Sequence, residues 1–494
     1  MMNTNDWIKQ RIKPEEVEKY IGQEGVFIND KAIDSALKKN SSPDKKRLED
    51  ILAKSLSIVS LSADETAALV NAREPWQVDL MQAAALQVKK KVYDNRIVTF
   101  APLYLGNNCV NDCLYCGFRD SNKESTRKTL NLEEVRQEIK VLAGEIGHKR
   151  LIAVYGEHPL NDIDYMLETI KAIYDVKVRT KHGIGAIRRV NVNAAPMQVA
   201  ELRRLKEAGL GTYQVFQETY HKKTYEALHP SHTVKGDYLW RLYVMHRALE
   251  AGIDDVGLGA LFGLYDWRYE VMALVEHDRA LEKRFGIGAH TISFPRLEPA
   301  QNSPYAISSK YRVSDDDFKH IMLVIRLSVP HVGMIITARE TPQMRHDSIA
   351  LGITQTDAST KIGVGAYADR KDIQEDSRQQ FILGDTRSLD ELIREFSAMG
   401  YITSFCTAGY RCGRTGDKIM GLLRSGKEGK FCKLNAVLTF REWLDDFASD
   451  DTRRIAEPLI EKEMHEIKAT NPEMYGAFMK AYEKIKNGTR DLYF

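Results

Sequence analysis

The sequence predicts an α/β protein built on a (β/α)8 TIM barrel, with an N-terminal helical extension and a mostly helical C-terminal unit. Two observations carry this. From about residue 97, short β-rich runs alternate with amphipathic helices eight times in about 280 residues, near the ~250 usual for such a barrel. On either side the alternation stops and helical spacing takes over. An open doubly wound sheet shows the same alternation and stays as the alternative. The chain of 494 residues is long enough for two or three domains, and the expected divisions are 1–95, 96–372 and 373–494.

The elements follow in order. Pro14-Glu15-Glu16 suits a first helical turn, and Leu48, Ile51, Leu52, Leu56 and Val59 fall at helical spacing after a charged, solvated loop at 41–47. Trp76 to Tyr93 gives a further amphipathic helix. The strands expected are Ile97–Tyr104, Leu151–Tyr155, Arg189–Val192, Thr212–Phe216, Asp255–Leu261, His290–Phe294, Gly333–Thr337 and a weak one at Gln355–Ala358. Pro102 weakens the centre of the first, because it offers no backbone N–H. Between them lie helices such as Leu132–Ile146, Asp162–Tyr174, Pro196–Ala208 and Asp315–Leu327. Beyond about 375, Ser388 to Met399 reads as a helix opened by a capping box and closed by Gly400.

Hydrophobic residues at 43% and charged residues at 28% suit a globular core, and 71 basic against 69 acidic side chains leave a net charge of +2. That balance argues against a nucleic-acid or membrane-surface binder. No signal peptide is read at the start and no apolar run is long enough to span a bilayer, so a cytoplasmic protein is expected. The six cysteines fall in two groups, 109, 113, 116 and 406, 412, 432, a pattern that suits two metal or cluster sites better than disulfides.

Cys109, Cys113 and Cys116 follow the first strand at C-x3-C-x2-C spacing. Three thiolates can hold three irons of a [4Fe–4S] cluster, leaving the fourth open to a chelating substrate. The amino and carboxylate groups of S-adenosylmethionine (SAM) can occupy that iron. A structural zinc site would want a fourth ligand, and none is evident nearby. The spacing, with aromatic Tyr115 before the last cysteine, is the signature of the radical SAM superfamily, which it resembles. That resemblance implies Tyr115 beside the adenine and Glu157, after the second strand, as acceptor for the SAM amino group. Glu218, ending the fourth strand, is a further candidate on the cofactor side. Arg296 and Arg339 follow the sixth and seventh strands, and either could bind an amino-acid carboxylate or serve as an ion-pair partner.

Longer runs sharpen the resemblance. Val215-Phe216-Gln217-Glu218-Thr219-Tyr220-His221, Gly259-Ala260-Leu261-Phe262-Gly263-Leu264, Leu383-Gly384-Asp385-Thr386-Arg387-Ser388 and Tyr410-Arg411-Cys412-Gly413-Arg414 are similar to the ThiH/HydG family of radical SAM tyrosine lyases. Membership of its hydrogenase-maturation branch implies cleavage of tyrosine at Cα–Cβ to p-cresol and dehydroglycine, then carbon monoxide and cyanide for [FeFe]-hydrogenase assembly with maturation partner proteins. It also implies an auxiliary iron–sulfur cluster carrying an extra iron bridged by free cysteine, with His277 as that iron's ligand from the barrel. The other branch stops at 2-iminoacetate for thiamine synthesis, and a non-catalytic iron–sulfur scaffold is a further alternative. The family's auxiliary site uses C-x2-C-x22-C, matched here by Cys406 and Cys432, but Gly409 stands at the middle position. Three readings stay open: Cys412 replaces the missing ligand, aided by backbone freedom at Gly409; the cluster is labile or absent; or a non-protein ligand completes it.

Overall fold

The computed structural model describes residues 4–22, 25–369, 375–425 and 428–494, with side chains from 431 in the last segment. The expected division at 372/373 lies outside these residues. Eight parallel strands form the barrel: β1 Arg96–Gly106, β2 Arg150–Tyr155, β3 Arg189–Asn193, β4 Tyr213–Gln214, β5 Val256–Gly259, β6 Thr291–Ser293, β7 Gly333–Ile336 and β8 Gln355–Asp357. Each pairs with the next in the series, and β8 closes on β1 at Val98↔Gln355 to Phe100↔Asp357. The eight expected strands are all present; several are the near-continuous apolar runs of strands covered on both faces, while Arg189–Asn193 alternates and Gln355–Asp357 is wholly polar.

Pro102 sits inside β1 at little cost. It pairs with Ile152 of β2, while pairing to β8 has already ended at Phe100, so its missing N–H removes no bond on that edge. A ninth parallel strand, β9 (Ile402–Ser404), lies beside the start of β1, pairing Arg96↔Ile402 to Val98↔Ser404. The segment expected as one helix over Leu132–Ile146 is α-helical only over Leu132–Val141. It then widens into a π-helical turn, Leu142–Ile146, ended by Gly147 at φ 89°.

Packing ties the N-terminal helices to the barrel. Leu48, Ile51 and Leu52 from the helix Lys45–Leu56, and Met81, Ala85 and Val88 from the helix Pro75–Tyr93, share one buried cluster with Leu103, Leu151 and Val190. Val59, expected on that apolar face, is 48% exposed, because the helix ends at Leu56 and the chain turns away. A second cluster joins Leu392, Phe396, Leu434, Trp443 and Ile460 to Ile97, Ile349 and Ala358 of the barrel. The capping box expected at Ser388 forms with Glu391.

Candidate active site

The loop after β1 carries Cys109, Cys113 and Cys116 to the C-terminal mouth of the barrel, where they line a cavity of about 230 Å³. Backbone geometry holds the loop close. Gly156 donates to Gly106, Val110 donates to Glu157, and a Cβ at Gly156 would stand 2.3 Å from the Asn108 carbonyl, so only glycine fits there. The thiols receive N–H donors: Asn111 to Cys109 at 3.7 Å, the Phe118 backbone to Cys116 at 3.4 Å and Gln380 to Cys116 at 3.6 Å. Burial pushes the Cys109 thiol up to about 11 and Cys113 to about 12. Binding metal would therefore release protons.

The chemistry of this set suits a cluster. Three thiols on one loop, with N–H donors at two of the sulfurs, are the ligand set that leaves one iron of a [4Fe–4S] cluster without a protein ligand. Beside them, Glu157 accepts from Asn111 at 2.6 Å through Oε2, while its buried Oε1 has no partner. Burial raises its pKa, outweighing the opposing pull of Arg11, the Asn111 hydrogen bond, Arg241 and Lys235. Ser293 Oγ and Thr337 Oγ1 are likewise buried and unpartnered on the cavity wall.

Tyr115 lines the cavity, with its hydroxyl 2.8 Å from His229 Nε2. His229 Nδ1 is 2.7 Å from the Tyr225 carbonyl, which places the ring proton on Nδ1 and makes Nε2 the acceptor of the tyrosine O–H. Glu218 also lines the cavity, but its carboxylate is engaged by Lys235 at 2.7 Å and Arg241 at 3.1 Å. Burial opposes its ionisation, yet these two cations outweigh that and hold its pKa at about 2. Lys235 and Arg241 were not anticipated from the sequence. They lie in short helical turns after β4 with no motif to mark them, and a surplus of basic residues there was the available signal.

The two candidate arginines part company. Arg339 lines the cavity, stacks over Phe381 at 3.3 Å and has no ion-pair partner among the described residues. Arg296 does not line it. The side chain grips Glu340 through two bonds, meets Asp315 at 2.7 Å and lies over Phe318 at 4.6 Å, all of which make it an ion-pair strut.

The second cysteine group lies at the opposite end of the barrel. β9 delivers Cys406 next to Arg189, the first residue of β3, whose Nη1 is 3.9 Å from the sulfur. Arg150 and Arg189 are both buried at this end, and Arg189 pairs with Asp255 at 2.6 Å. Cys412 Sγ is 3.6 Å from the Phe494 carbonyl, which also accepts from Asn435, one turn beyond Cys432 on the helix Glu428–Phe447. Gly409 sits at φ −52°, an ordinary helical value, and a Cβ there would come no nearer than 3.8 Å to its surroundings. The special backbone freedom expected of Gly409 is therefore not used. His277, expected as an iron ligand, is bonded to the Tyr220 hydroxyl at 2.9 Å and packs against the rings of Phe27 and His246. Its other ring nitrogen, Nε2, is buried without a hydrogen-bond partner.

A parallel β/α barrel with a three-cysteine loop facing a cavity at its C-terminal mouth defines a radical SAM enzyme, which uses an iron–sulfur cluster and SAM. Residues 103–275 match the radical SAM superfamily, and 293–402 match the biotin and thiamin synthesis associated domain. The crystal structure of HydG, a maturase of the [FeFe]-hydrogenase, superposes with TM-score 0.89 at 44% identity, covering 95% of this chain and 100% of that one. The HydG structure from Carboxydothermus hydrogenoformans gives 0.74 at 34% identity, with coverage of 97% and 99%. The 2-iminoacetate synthase of Escherichia coli (strain K12) is 30% identical over 349 residues, 70% of this chain and 87% of that protein. The chain belongs to the HydG family of radical SAM enzymes. No described helix is long and apolar enough to cross a membrane.

Proposed function

We propose that the protein is a carbon–carbon lyase that cleaves tyrosine to p-cresol and dehydroglycine and carries dehydroglycine on to carbon monoxide and cyanide for [FeFe]-hydrogenase assembly. The observation that carries the reading is the cavity itself. It sets three cysteine thiols beside an unpartnered carboxylate oxygen on Glu157 and an unpaired guanidinium on Arg339. Cys109, Cys113 and Cys116 would hold a [4Fe–4S] cluster with one open iron. When bound, that cluster supplies the electron that cleaves SAM to an adenosyl radical.

The chain's own groups would then divide the work. Glu157 Oε1 takes the SAM ammonium, and Arg339 takes the tyrosine carboxylate. Ser293 and Thr337 offer hydroxyls to the remaining polar atoms of either ligand. Tyr115, fixed by His229, walls the cavity near the cluster loop. The apolar lining, including Phe100, Ile152 and Leu261, excludes water that would quench a radical.

At the far end, Cys406, Cys412 and Cys432 would hold an auxiliary cluster with its extra iron and bridging free cysteine. Cys412 is favoured as the third thiolate because it shares the Phe494 carbonyl with the helix that bears Cys432. Both HydG structures match over nearly the whole chain, C-terminal unit included, which favours this reading over a lyase that stops at 2-iminoacetate. An anaerobic assay with SAM, reductant and tyrosine tests it. Cresol with both diatomics supports the proposal, cresol alone supports the 2-iminoacetate reading, and no cresol with no deoxyadenosine defeats both.

A further inference from the structure

A third donor set shares no residue with either cysteine group. Asp278 and Glu282 stand one turn apart on the helix Trp267–Phe285, and His331 belongs to the loop that enters β7. One ligand atom from each lies within 4.8 Å of the other two. Asp278 and His331 are fully buried, yet neither ring nitrogen of His331 nor Oδ2 of Asp278 has a hydrogen-bond partner. Buried polar groups in native folds are paired, so buried orphans gathered at one point call for an explanation. His331 Nε2 is 3.9 Å from Glu282 Oε1, too far for a hydrogen bond and suited to two donors reaching one ion between them.

The surroundings are built around these groups. The Ala289 backbone N–H donates to Asp278 Oδ1 at 2.6 Å and fixes the carboxylate, leaving Oδ2 free. A Cβ at Gly288 would stand 2.4 Å from that same Oδ1, so the loop closes on the aspartate only because residue 288 is glycine.

We propose that Asp278, Glu282 and His331 form a mononuclear divalent-metal site, distinct from either cysteine group. Two carboxylate oxygens and one imidazole suit Mn2+, Fe2+, Co2+ or Zn2+ better than a soft, thiolate-seeking ion. Arg424 is the competitor. It pairs with Glu282 from the end of the helix Gly416–Arg424, and at 40% exposure it can swing into solvent when a metal enters. Occupancy would therefore exchange an ion pair between the barrel and the C-terminal unit for a metal bond within the barrel.

The test is a titration of the full chain with Mn2+, after cluster reconstitution and chelator treatment, following loss of the free-ion resonance. One bound Mn2+ per chain is expected. His331→Gln should weaken binding at least tenfold, and Arg424→Gln should tighten it several-fold. Arg424 is 40% exposed, so its variant keeps the test open if His331→Gln fails to fold. No stoichiometric binding to the native chain or to Arg424→Gln overturns the proposal, as does binding that neither substitution changes.

Discussion

Arg296 and Arg339 end neighbouring strands and face opposite fates, and the difference lies in which carboxylate each meets. Removing Arg339 takes a charged contact from the proposed substrate carboxylate, worth ~1.5–3 kcal/mol. Arg339→Ala should raise the KM for tyrosine about 10- to 100-fold while leaving the melting temperature near native. Arg296→Ala should do the reverse. It strands Glu340, only 2% exposed, and breaking a buried pair this way costs about 3–5 kcal/mol, read as a lower denaturation midpoint. Glu218 makes a pH prediction of its own. Its pKa is depressed to about 2 when folded, against 4.5 unperturbed, so its ion pairs contribute roughly 3 kcal/mol above the unfolded value. That contribution declines as pH falls below about 4.5 and is gone below 2. The cluster-free native chain should accordingly lose more stability than Glu218→Gln between pH 5 and pH 3, and parallel melting curves would refute this.

At the scale of elements, most strands were legible because they are apolar or alternating runs between turn signals, the polar Gln355–Asp357 being the weakest, and the first cysteine loop because its spacing is specific. What a strand end touches was not legible. The sequence places Arg296 near a barrel mouth but says nothing of Glu340 reaching it from the next loop. It likewise gives no hint that Lys235 and Arg241 turn back onto Glu218. His277 stands on the helix that the family motif marks, but sequence cannot show that Tyr220 and Phe27 close over it. The second cysteine loop yields the sharpest test at this scale. Since Gly409 has ordinary backbone angles and room for a side chain, Gly409→Cys should fold normally and restore the family's C-x2-C-x22-C spacing. If Cys412 serves as the present ligand, Cys412→Ala should lose about one cluster's iron per chain, and adding Gly409→Cys should recover it. Iron analysis and cluster absorbance after anaerobic reconstitution read both outcomes. Unchanged iron in Cys412→Ala would remove Cys412 from the site.

For the whole molecule, two buried clusters share the barrel between them. The N-terminal helices pack into the same core as the strands, and the C-terminal helices build a second core that reaches Ile97, Ile349 and Ala358. Neither flank is an appendage. The two cysteine groups occupy opposite ends, one past the C-terminal end of β1 and the other beside the first residue of β3. β9 has a consequence for any shortened form of this chain. Its three residues occupy the flank of Arg96–Val98, just before β1 meets β2. A chain ending before residue 400 would leave that stretch as a bare sheet edge, with backbone donors and acceptors in a row, and would uncover Ile97 beside it. Bare edges recruit strands from other molecules. Such a fragment should self-associate in sedimentation at concentrations where the full chain does not, and its failure to make cyanide would then say nothing about the lost cysteines.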